Sequence, residues 1–334
     1  MKINNHKLKI AVIGCGRVAN SHLDALKILN KYYDLLAVVD IEEERAKKYA
    51  ELYETDYYTS LKEVNENSKI EAVIICLPHF LHKSITVECL NSNKHVLVEK
   101  PMALNSKEAK EMVKIAKKTQ KILMVGQSRR FFDAIRILKE KIDEIAKPFS
   151  TYIFWGHWVD FSNRSEWSKS IKKTGGLVLP LNGSHAVDHA VWLYGRKPIS
   201  VYAKLFKHRE VNGFSEATII LEFSKNEVAT IQLSFSTIPP KHLIVINGPF
   251  GSFQINHADE PQKVGVGSLE LQYNGETIIK GKQEPSNFVN QLKEFYSAIK
   301  EEREPIASGA EILHVMQVLD SIKESNSSKK KIEL

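Results

Sequence analysis

The first third of the chain alternates short apolar runs with longer segments in which apolar residues recur at helical spacing. The runs lie at Lys7–Ile13, Leu35–Val39, Ile70–Leu77, Val96–Val98 and Ile122–Val125. Apolar runs of this length, bounded by helical patterns, are typical of parallel strands that are buried on both faces. The pattern therefore predicts a doubly wound parallel sheet, an α/β architecture, over residues 1–126.

After residue 126 the pattern changes to stretches in which apolar and polar residues alternate, as in half-buried strands. Seven stretches follow this rule: Phe149–Trp155, Ile199–Phe206, Ala217–Phe223, Val228–Phe235, Leu243–Ile246, Leu269–Tyr273 and Thr277–Lys280. Asn247-Gly248 and Asn274-Gly275 are typical of hairpin turns. Residues 127–334 are predicted to form an α+β domain with a large, mostly antiparallel open sheet. We expect its free face to pair with another copy in a homodimer or homotetramer.

Composition narrows the class of protein. The chain has 334 residues, of which 43% are apolar and 26% are charged, and this suits two globular domains. No long uncharged apolar stretch or signal-peptide pattern is found, so we expect a cytoplasmic location and no membrane partner. The net charge of +7 includes the terminal Lys329-Lys330-Lys331, and no basic stripe is interleaved with aromatic residues. We therefore expect no nucleic-acid partner.

A dinucleotide-binding pattern follows the first predicted strand. Gly14-Cys15-Gly16-Arg17-Val18-Ala19 has the form G-x-G-x-x-A. Gly14 would make the tight turn, Gly16 would let the backbone approach a pyrophosphate, and Ala19 would let the helix pack closely on the strand. The predicted helix Val18–Leu29 would direct its first amides at the phosphates. The motif and its setting predict a Rossmann domain that binds a nicotinamide dinucleotide.

Asp40 ends the second predicted strand, at the distance from the glycines where an acidic residue binds the ribose hydroxyls of NAD. Alternatively, Asp40 and Glu43 form a D-x-x-E box that caps the next helix, and the two roles can coexist. No arginine directly follows Asp40, so the 2′-phosphate of NADP would meet a negative charge without an adjacent partner. We expect NAD as the cofactor, with NADP as the alternative.

Glu99-Lys100-Pro101 follows the apolar run Val96–Val98, and Pro101 stops the predicted strand. The ends of such strands are where open α/β sheets bind their ligands. Lys100 is therefore a candidate proton donor or acceptor. The alternative is a solvated lysine at the end of a strand.

A second candidate centre lies at residues 175–189, where a predicted loop with three glycines, Gly175–Gly183, precedes a helix. His185, Asp188 and His189 share one face of that helix. An imidazole near a helix start suits proton transfer close to neutral pH, which favours His185 as an acid or base. A metal site on His185 and His189 would need a third ligand that the sequence does not supply, so no metal is expected. A structural, hydrogen-bonded histidine is the other alternative, and it fits His189 better.

Three motifs occur in order along the chain: Gly14-Cys15-Gly16-Arg17-Val18-Ala19, Glu99-Lys100-Pro101 and Gly183-Ser184-His185-Ala186-Val187-Asp188. Together they resemble the motifs of the glucose–fructose oxidoreductase, inositol dehydrogenase and rhizopine-catabolism (Gfo/Idh/MocA) family. The resemblance covers nearly the whole chain, and Glu-Lys-Pro is its most specific element. Pro78 and His82 resemble the family's Thr-Pro-Asn-x-x-His turn, with Leu77 and His79 in place of Thr and Asn. Arg130-Phe131 resembles the family's Arg-Phe after the sixth strand.

The resemblance implies a hydride transfer between NAD(P) and a hydroxyl-bearing carbon of a sugar, sugar derivative or nucleotide-sugar. It implies that Lys100 contacts the reacting hydroxyl and that His185 is the acid or base. The expected cofactor-binding residues are Gly14, Cys15, Gly16, Arg17, Val18, Ala19, Asp40, Leu77, Pro78, His82, Glu99 and Lys100. The expected substrate-binding residues are Lys100, Arg130, Trp158, Arg164, Trp167, Asn182, His185 and Asp188.

The chain departs from the family pattern at Leu181. Many members have Asp or Asn four residues before the catalytic histidine, and here Asn182 lies beside that position. This argues against an inositol dehydrogenase. Two other functions stay open: a glycoside hydrolase that oxidises its substrate transiently with bound NAD, and a ligand sensor without turnover. A sensor needs neither Lys100 nor His185, which argues against the second.

Overall fold

A computed structural model describes residues 6–146, 150–162, 166–207, 213–259, 267–283 and 286–334. Contacts within the chain divide it into two compact units. One comprises Met1–Ala103, Lys107–Gly126 and Phe288–Leu313, and the other comprises Leu104–Ser106, Gln127–Asn287 and His314–Leu334. The predicted domain boundary after residue 126 stays a prediction, and the structure adds that residues 288–313 pack with the first unit.

The first unit contains a six-stranded parallel sheet. Its strands are β1 (Leu8–Ile13), β2 (Tyr33–Val39), β3 (Asp56–Tyr58), β4 (Ala72–Ile75), β5 (His95–Glu99) and β6 (Leu123–Gly126). They lie in the order β3-β2-β1-β4-β5-β6, and every pair is parallel. The predicted doubly wound sheet is confirmed. Its order reverses between β1 and β4, and the carboxyl ends of strands at such a point form a ligand-binding crevice.

Helices α1 (Arg17–Ile28), α2 (Glu43–Tyr53), α3 (Leu61–Glu66), α4 (His79–Asn91) and α5 (Ser106–Thr119) follow the first five strands. The four residues of β4 are fully buried, which explains their continuous apolar run. Helix α4 begins at His79. Pro78 is its N-cap with φ of −57°, a value that suits the entry to a helix, so the segment from His79 to His82 is helical rather than a turn.

The second unit contains a nine-stranded sheet. Its strands are β7 (Ser150–Trp158), β8 (Ser200–Lys207), β9 (Phe214–Ser224), β10 (Glu227–Ser234), β11 (Ser236–Gly248), β12 (Gly251–Asp259), β13 (Gly267–Tyr273), β14 (Glu276–Lys282) and β15 (Ile332–Glu333). The order is β14-β13-β12-β11-β7-β10-β9-β8-β15. Strands β7 and β10 pair in parallel and the other neighbours are antiparallel. The predicted mostly antiparallel sheet is confirmed, although β12 was not predicted.

The remaining helices are α6 (Asp133–Lys141), α7 (Glu166–Lys169), α8 (Ile171–Thr174), α9 (Ser184–Tyr194), α10 (Asn287–Lys300) and α11 (Gly309–Ser328). A π-helical turn at Leu179–Gly183 runs directly into α9, so the loop predicted over Gly175–Gly183 is wrong at its second half. Four of the five residues of this turn are buried, and buried backbone groups need partners that a helical turn supplies. No helix in the described part of the chain is long and apolar enough to span a membrane.

The two predicted hairpin turns have different outcomes. Asn274-Gly275 joins β13 to β14 with φ values of 50° and 87°, as a tight hairpin requires, and this prediction is confirmed. Asn247-Gly248 instead ends β11, where Gly248 pairs with Gly251 across the hairpin. A side chain on Gly248 would clash with the Ile145 carbonyl, so glycine is needed there for close packing rather than for a turn.

Candidate active site

The glycine motif forms the link between β1 and α1. Gly14 has φ of 96°, and a Cβ on it would lie 2.6 Å from the carbonyl oxygen of Cys76, so only glycine fits against the end of β4. A Cβ on Gly16 would meet nothing within 4 Å, so the backbone there faces open space. The first turn of α1 carries no acidic residue. An open helix N-terminus without competing carboxylates fits the pyrophosphate of a dinucleotide.

Asp40 lies directly after β2, and its carboxylate accepts hydrogen bonds from three residues of the chain. The backbone N–H of Cys15 donates to it over 2.9 Å, that of Glu42 over 3.0 Å, and the Arg45 guanidinium over 3.1 Å. Glu42, not Asp40, is the N-cap of α2, so the predicted capping box is wrong. Arg45 also supplies the positive partner that the residues adjacent to Asp40 in sequence lack. The argument for NAD over NADP is weaker than the sequence suggested.

Cys15 contributes through its backbone. Burial and the charge of Asp40 raise the pKa of its thiol to about 12, so the thiol stays protonated at neutral pH. Its N–H ties the glycine motif to the end of β2 through Asp40. The site that fits a pyrophosphate and the site that fits a ribose are therefore joined by a hydrogen bond.

Lys100 follows β5 and is half-buried, and its peptide bond to Pro101 is cis. The preceding Glu99 is buried, with Oε1 2.8 Å from Nε2 of His22 on α1. The other oxygen, Oε2, accepts the backbone N–H of Lys100 over 3.2 Å. A Cβ on Gly126 of β6 would lie 2.8 Å from Oε1, so the neighbouring strand makes room for this carboxylate. Glu99 has partners within the chain, and its contact with the cofactor stays a prediction.

His82 lies in the first turn of α4 with no exposed surface. Its Nδ1 is 2.8 Å from the carbonyl oxygen of Pro101, and its Nε2 is 2.8 Å from that of Leu77. Burial lowers the pKa of His82, although the two carbonyl contacts oppose that shift. Both ring nitrogens meet the chain's own backbone, so a direct contact with the cofactor stays a prediction.

In the second unit, Arg130 and Asp188 form a buried, two-pronged ion pair. The Nε–Oδ2 distance is 2.8 Å and the Nη2–Oδ1 distance is 2.6 Å, and neither side chain is more than 1% exposed. The guanidinium carbon lies 5.1 Å from the ring centre of Trp192, one turn further along α9. The pair fixes α9, and with it His185, against the segment that follows β6. The role of these two residues in binding substrate stays a prediction.

His185 belongs to a cluster of rings around Trp155. Its imidazole stacks on Trp155 with the ring centres 5.4 Å apart, and His242 stacks on the same indole at 4.0 Å. Trp155 of β7 pairs with His242 of β11, which pairs with His257 of β12. These three inward-facing side chains form one row across the sheet. His185 itself is 6% exposed, so ring packing fixes its orientation.

Arg129 sets the hydrogen positions in this row. Its guanidinium donates to Nδ1 of His257 over 3.0 Å, and Nδ1 of His242 lies 3.2 Å from the same nitrogen. Because a guanidinium only donates, Nδ1 of His257 accepts from Arg129. Burial, His257 and Arg129 hold the pKa of His242 well below its usual range. Burial and Arg129 lower the pKa of His189 to about 3. Both imidazoles are neutral at neutral pH.

The other predicted substrate residues differ in their exposure. Trp158 ends β7 and is 57% exposed, and Trp167 on α7 is half-buried. Arg164 lies outside the described residues. Asn182 is buried in the π-helical turn, with its amide nitrogen 3.3 Å from Nδ1 of His157, while Leu181 is half-buried. Across the described ranges, no group of three or more His, Cys, Asp or Glu side chains is arranged to hold a metal.

Comparison with known families decides the class. Residues 8–127 match the model of an oxidoreductase family with an NAD-binding Rossmann fold, and residues 139–334 match the C-terminal alpha/beta domain of that family, Gfo/Idh/MocA. The chain belongs to the Gfo/Idh/MocA family. The predicted resemblance is confirmed, and so are the enzyme class, oxidoreductase, and the cofactor, NAD.

Several characterised proteins are similar to this Gfo/Idh/MocA chain. A 4-carboxy-2-hydroxymuconate-6-semialdehyde dehydrogenase of Sphingobium is 26% identical over 94% of this chain and 98% of its own length. A myo-inositol 2-dehydrogenase of Thermotoga maritima is 27% identical over 68% of each chain. The solved aldose-aldose oxidoreductase of Caulobacter crescentus, complexed with glycerol, superposes with a TM-score of 0.85 at 23% identity, covering 98% of this chain and 100% of the other. That structure shows the shared fold.

Sequence reasoning did not identify Arg129, His242 or His257. His242 and His257 occupy inward positions of strands whose other inward residues are apolar, such as Ile244 and Ile255. An imidazole at an inward position of an alternating pattern is the signal that could have identified them. Arg129 gave no comparable signal, because its contacts depend on the pairing of β7, β11 and β12.

Proposed function

We propose that this Gfo/Idh/MocA protein transfers a hydride between NAD and a hydroxyl-bearing carbon of a sugar or sugar derivative, with Lys100 and His185 as its catalytic residues. The observation that carries the proposal is the position of Lys100. It directly follows β5, at the carboxyl edge of a sheet whose neighbouring β4 meets the glycine motif at Gly14. Ligands of open α/β sheets bind at this edge.

In the direction of oxidation, His185 accepts the hydroxyl proton, and Lys100 donates a hydrogen bond to the oxygen as negative charge develops on it. Imidazole suits the first role because it exchanges a proton near neutral pH. Trp155 packs along the His185 ring and limits its rotation, so the accepting nitrogen keeps one direction. A fixed ammonium at Lys100 stabilises the oxygen without reorganisation. Bound NAD supplies the hydride acceptor.

The residues around the glycine motif suit NAD. Gly14–Ala19 would hold the pyrophosphate at the N-terminus of α1, and Asp40 would accept hydrogen bonds from the adenosine ribose. We expect NAD to be preferred, because a 2′-phosphate would approach the Asp40 carboxylate. Arg45 lies beside that carboxylate and reduces the repulsion, so the preference over NADP should be moderate.

We propose that the substrate is a polyhydroxylated small molecule contacted by Lys100, His185 and polar and aromatic residues of the second unit. The candidates for that contact are Trp158, Arg164, Trp167 and Asn182. Arg130 and Asp188 would act by fixing α9, since each satisfies the charge of the other while buried. The names of the relatives span an inositol and a semialdehyde, so the substrate is proposed only at the level of this class.

The test is a panel of aldoses, inositols, sugar acids and nucleotide-sugars, each offered with NAD and with NADP. Formation of reduced nicotinamide by the wild-type protein, lost in Lys100→Met, is the expected result. Lys100→Met keeps the length of the side chain and removes its charge and donors. Product formed without any reduced nicotinamide would point to the transient-oxidation alternative. Turnover that is unchanged in Lys100→Met would reject the proposed role of Lys100.

We also propose that the exposed face of the nine-stranded sheet contacts a second copy of the chain. Tyr202, Ile220 and Tyr152 lie in one row on neighbouring or next-neighbouring strands, and each is more than one-third exposed. Apolar side chains in such a row are typical of an interface. A monomeric mass in analytical ultracentrifugation at micromolar concentration would argue against this pairing.

A further inference from the structure

Lys100 lies between two residues that are each bound by a buried histidine. Glu99 precedes it and contacts His22, and Pro101 follows it and contacts His82. The two histidines come from different helices of the first unit, α1 and α4. Lys100 is thus the central residue of a short segment whose two ends are held separately.

The contact at Glu99 depends on one ring nitrogen of His22. A carboxylate only accepts, so Nε2 of His22 donates to Oε1 over 2.8 Å. Nδ1 of His22 is buried and has no hydrogen-bond partner in the part of the chain that the structure describes, and the ring packs edge-on against Phe288 at 4.9 Å. A buried nitrogen without a partner lowers stability. An apolar side chain would avoid that loss but could not hold Glu99.

The contact at Pro101 is made to its backbone carbonyl oxygen. His82 lies 2.8 Å from this oxygen through Nδ1 and 2.8 Å from the Leu77 carbonyl through Nε2. Leu77 follows β4 and its side chain packs near Gly14. Both carbonyl oxygens only accept, so a neutral His82 ring donates to one of them at a time, and the ring lies between the end of β4 and the segment that follows β5.

These contacts link Lys100 to the cofactor-binding elements. Oε2 of Glu99 accepts the backbone N–H of Lys100, so the hold that His22 exerts on Glu99 extends to the lysine backbone. Helix α1 follows the glycine motif, and α4 follows the end of β4 at the switch point. A lysine that must meet a substrate oxygen beside a bound dinucleotide gains from being tied to the elements that hold the dinucleotide.

We infer that His22 and His82 are positioning residues that hold Lys100 in place through Glu99 and Pro101. The inference rests on the proposed function, in which Lys100 contacts the reacting oxygen. Neither histidine exchanges a proton with substrate in this role. Removal of either histidine should therefore lower kcat, and removal of His22, which is not an expected cofactor contact, should leave the binding of NADH largely intact.

The test measures kcat and the affinity for NADH in three variants of the full chain. His22→Leu and His82→Leu are compared with His95→Leu. His95 lies at the opposite end of β5, where its Nδ1 accepts the backbone N–H of Ile122, so it serves as a matched control on the same strand. Each of the first two variants should lower kcat by about tenfold to a hundredfold, the scale of a displaced catalytic group. The control should change kcat by less than about threefold, and NADH affinity should change little in His22→Leu and in the control. His22→Gln, whose amide can replace the Nε2 donor, should recover much of the loss.

A double-mutant cycle with Lys100→Met separates positioning from general damage. If the histidines act through Lys100, His22→Leu and His82→Leu add no further loss of kcat in the Lys100→Met background. Equal losses in both backgrounds, or no loss in either, would overturn the inference. Full activity of Lys100→Met alone would instead reject the proposed function. Should a leucine variant not fold, His22→Phe and His82→Phe, which keep a ring without a donor nitrogen, enter the same cycle with the same criteria.

Discussion

The two candidate catalytic residues are held by different kinds of contact. Lys100 lies in a short segment fixed by hydrogen bonds from His22 and His82 to the residues beside it. His185 lies on a buried helix and is fixed by the stacking of its ring on Trp155. The first arrangement depends on a few directional bonds, and the second on packing that several strands share.

This difference has a consequence for variants. Removing one hydrogen-bond partner near Lys100 disturbs a local segment and should reduce activity more than stability. Rings around His185 are core residues of the second unit, where loss of volume or of a buried charge partner also destabilises the fold. Variants near Lys100 should therefore separate activity from stability, while variants near His185 should change both.

The largest effect is expected for the two proposed catalytic residues, Lys100 and His185. Lys100→Met and His185→Phe should each lower kcat by about a thousandfold, since each removes a group that handles the proton or charge in the reaction. Phenylalanine keeps a ring on Trp155, so His185→Phe should unfold at nearly the wild-type temperature, unlike His185→Ala. Steady-state kinetics and calorimetry measure both quantities. Retained turnover in His185→Phe would show that the imidazole is not needed.

The next largest effect is expected for the buried ion pair between Arg130 and Asp188 of α9. Asp188→Asn leaves the Arg130 guanidinium buried without its charge partner and should lower the free energy of unfolding by about 3–5 kcal/mol. Replacing both residues by apolar ones, Arg130→Met with Asp188→Leu, should cost less. Glu301→Gln, in an exposed pair with Arg303, is the control and should cost less than about 1 kcal/mol. Urea unfolding gives the three values, and equal losses at the buried and exposed pairs would contradict this assignment.

Lowering the pH should reduce the free energy of unfolding through His189, which lies in the ring cluster around Trp155. Burial lowers its pKa to about 3 in the folded protein, against about 6.5 when unfolded. Between these values the unfolded chain binds a proton that the folded one does not, so stability falls as the pH falls below about 6.5. Between pH 7 and pH 5, this residue alone should lower the free energy of unfolding by about 2 kcal/mol. Unfolding of His189→Leu at the two pH values should lack that part of the loss, and an unchanged loss would exclude His189 as its source.

The smallest effect is expected for the preference between NAD and NADP, which Asp40 of the first unit should influence. Asp40→Ser removes the negative charge that a 2′-phosphate would meet and leaves Arg45 in place. The ratio of kcat/KM for NADP to that for NAD should rise about tenfold, equivalent to about 1.4 kcal/mol. Adding Arg45→Ala should cancel the gain. If Asp40→Ser alone does not change the ratio, Asp40 does not discriminate between the two cofactors.

Much of the fold, and the central residues of the candidate site, could be proposed from sequence because their signals are contiguous. Fully buried parallel strands leave continuous apolar runs, and the glycine motif and Glu99-Lys100-Pro101 are local patterns. The residues around them could not be predicted in the same way. The contact between His22 and Glu99 joins residues 77 positions apart and depends on how α1 packs beside β5.

The ring cluster around Trp155 was even harder to predict, because its contacts join residues that are far apart in sequence. Strand β12 could not be predicted because only two of its inward positions, Phe253 and Ile255, are apolar, and the polar His257 takes the next one. The row of Trp155, His242 and His257 exists only through the register of three strands. Arg45 was likewise overlooked beside Asp40, because a helix turn brings together residues five positions apart.

The most direct test follows the transferred hydrogen. A substrate from the panel is prepared with deuterium on the hydroxyl-bearing carbon and incubated with the wild-type protein and NAD. Deuterium should appear in the nicotinamide ring of the reduced cofactor, in step with product formation, and the rate of its appearance should fall in Lys100→Met and in His185→Phe. Product that forms while the cofactor carries no deuterium would contradict hydride transfer from this carbon.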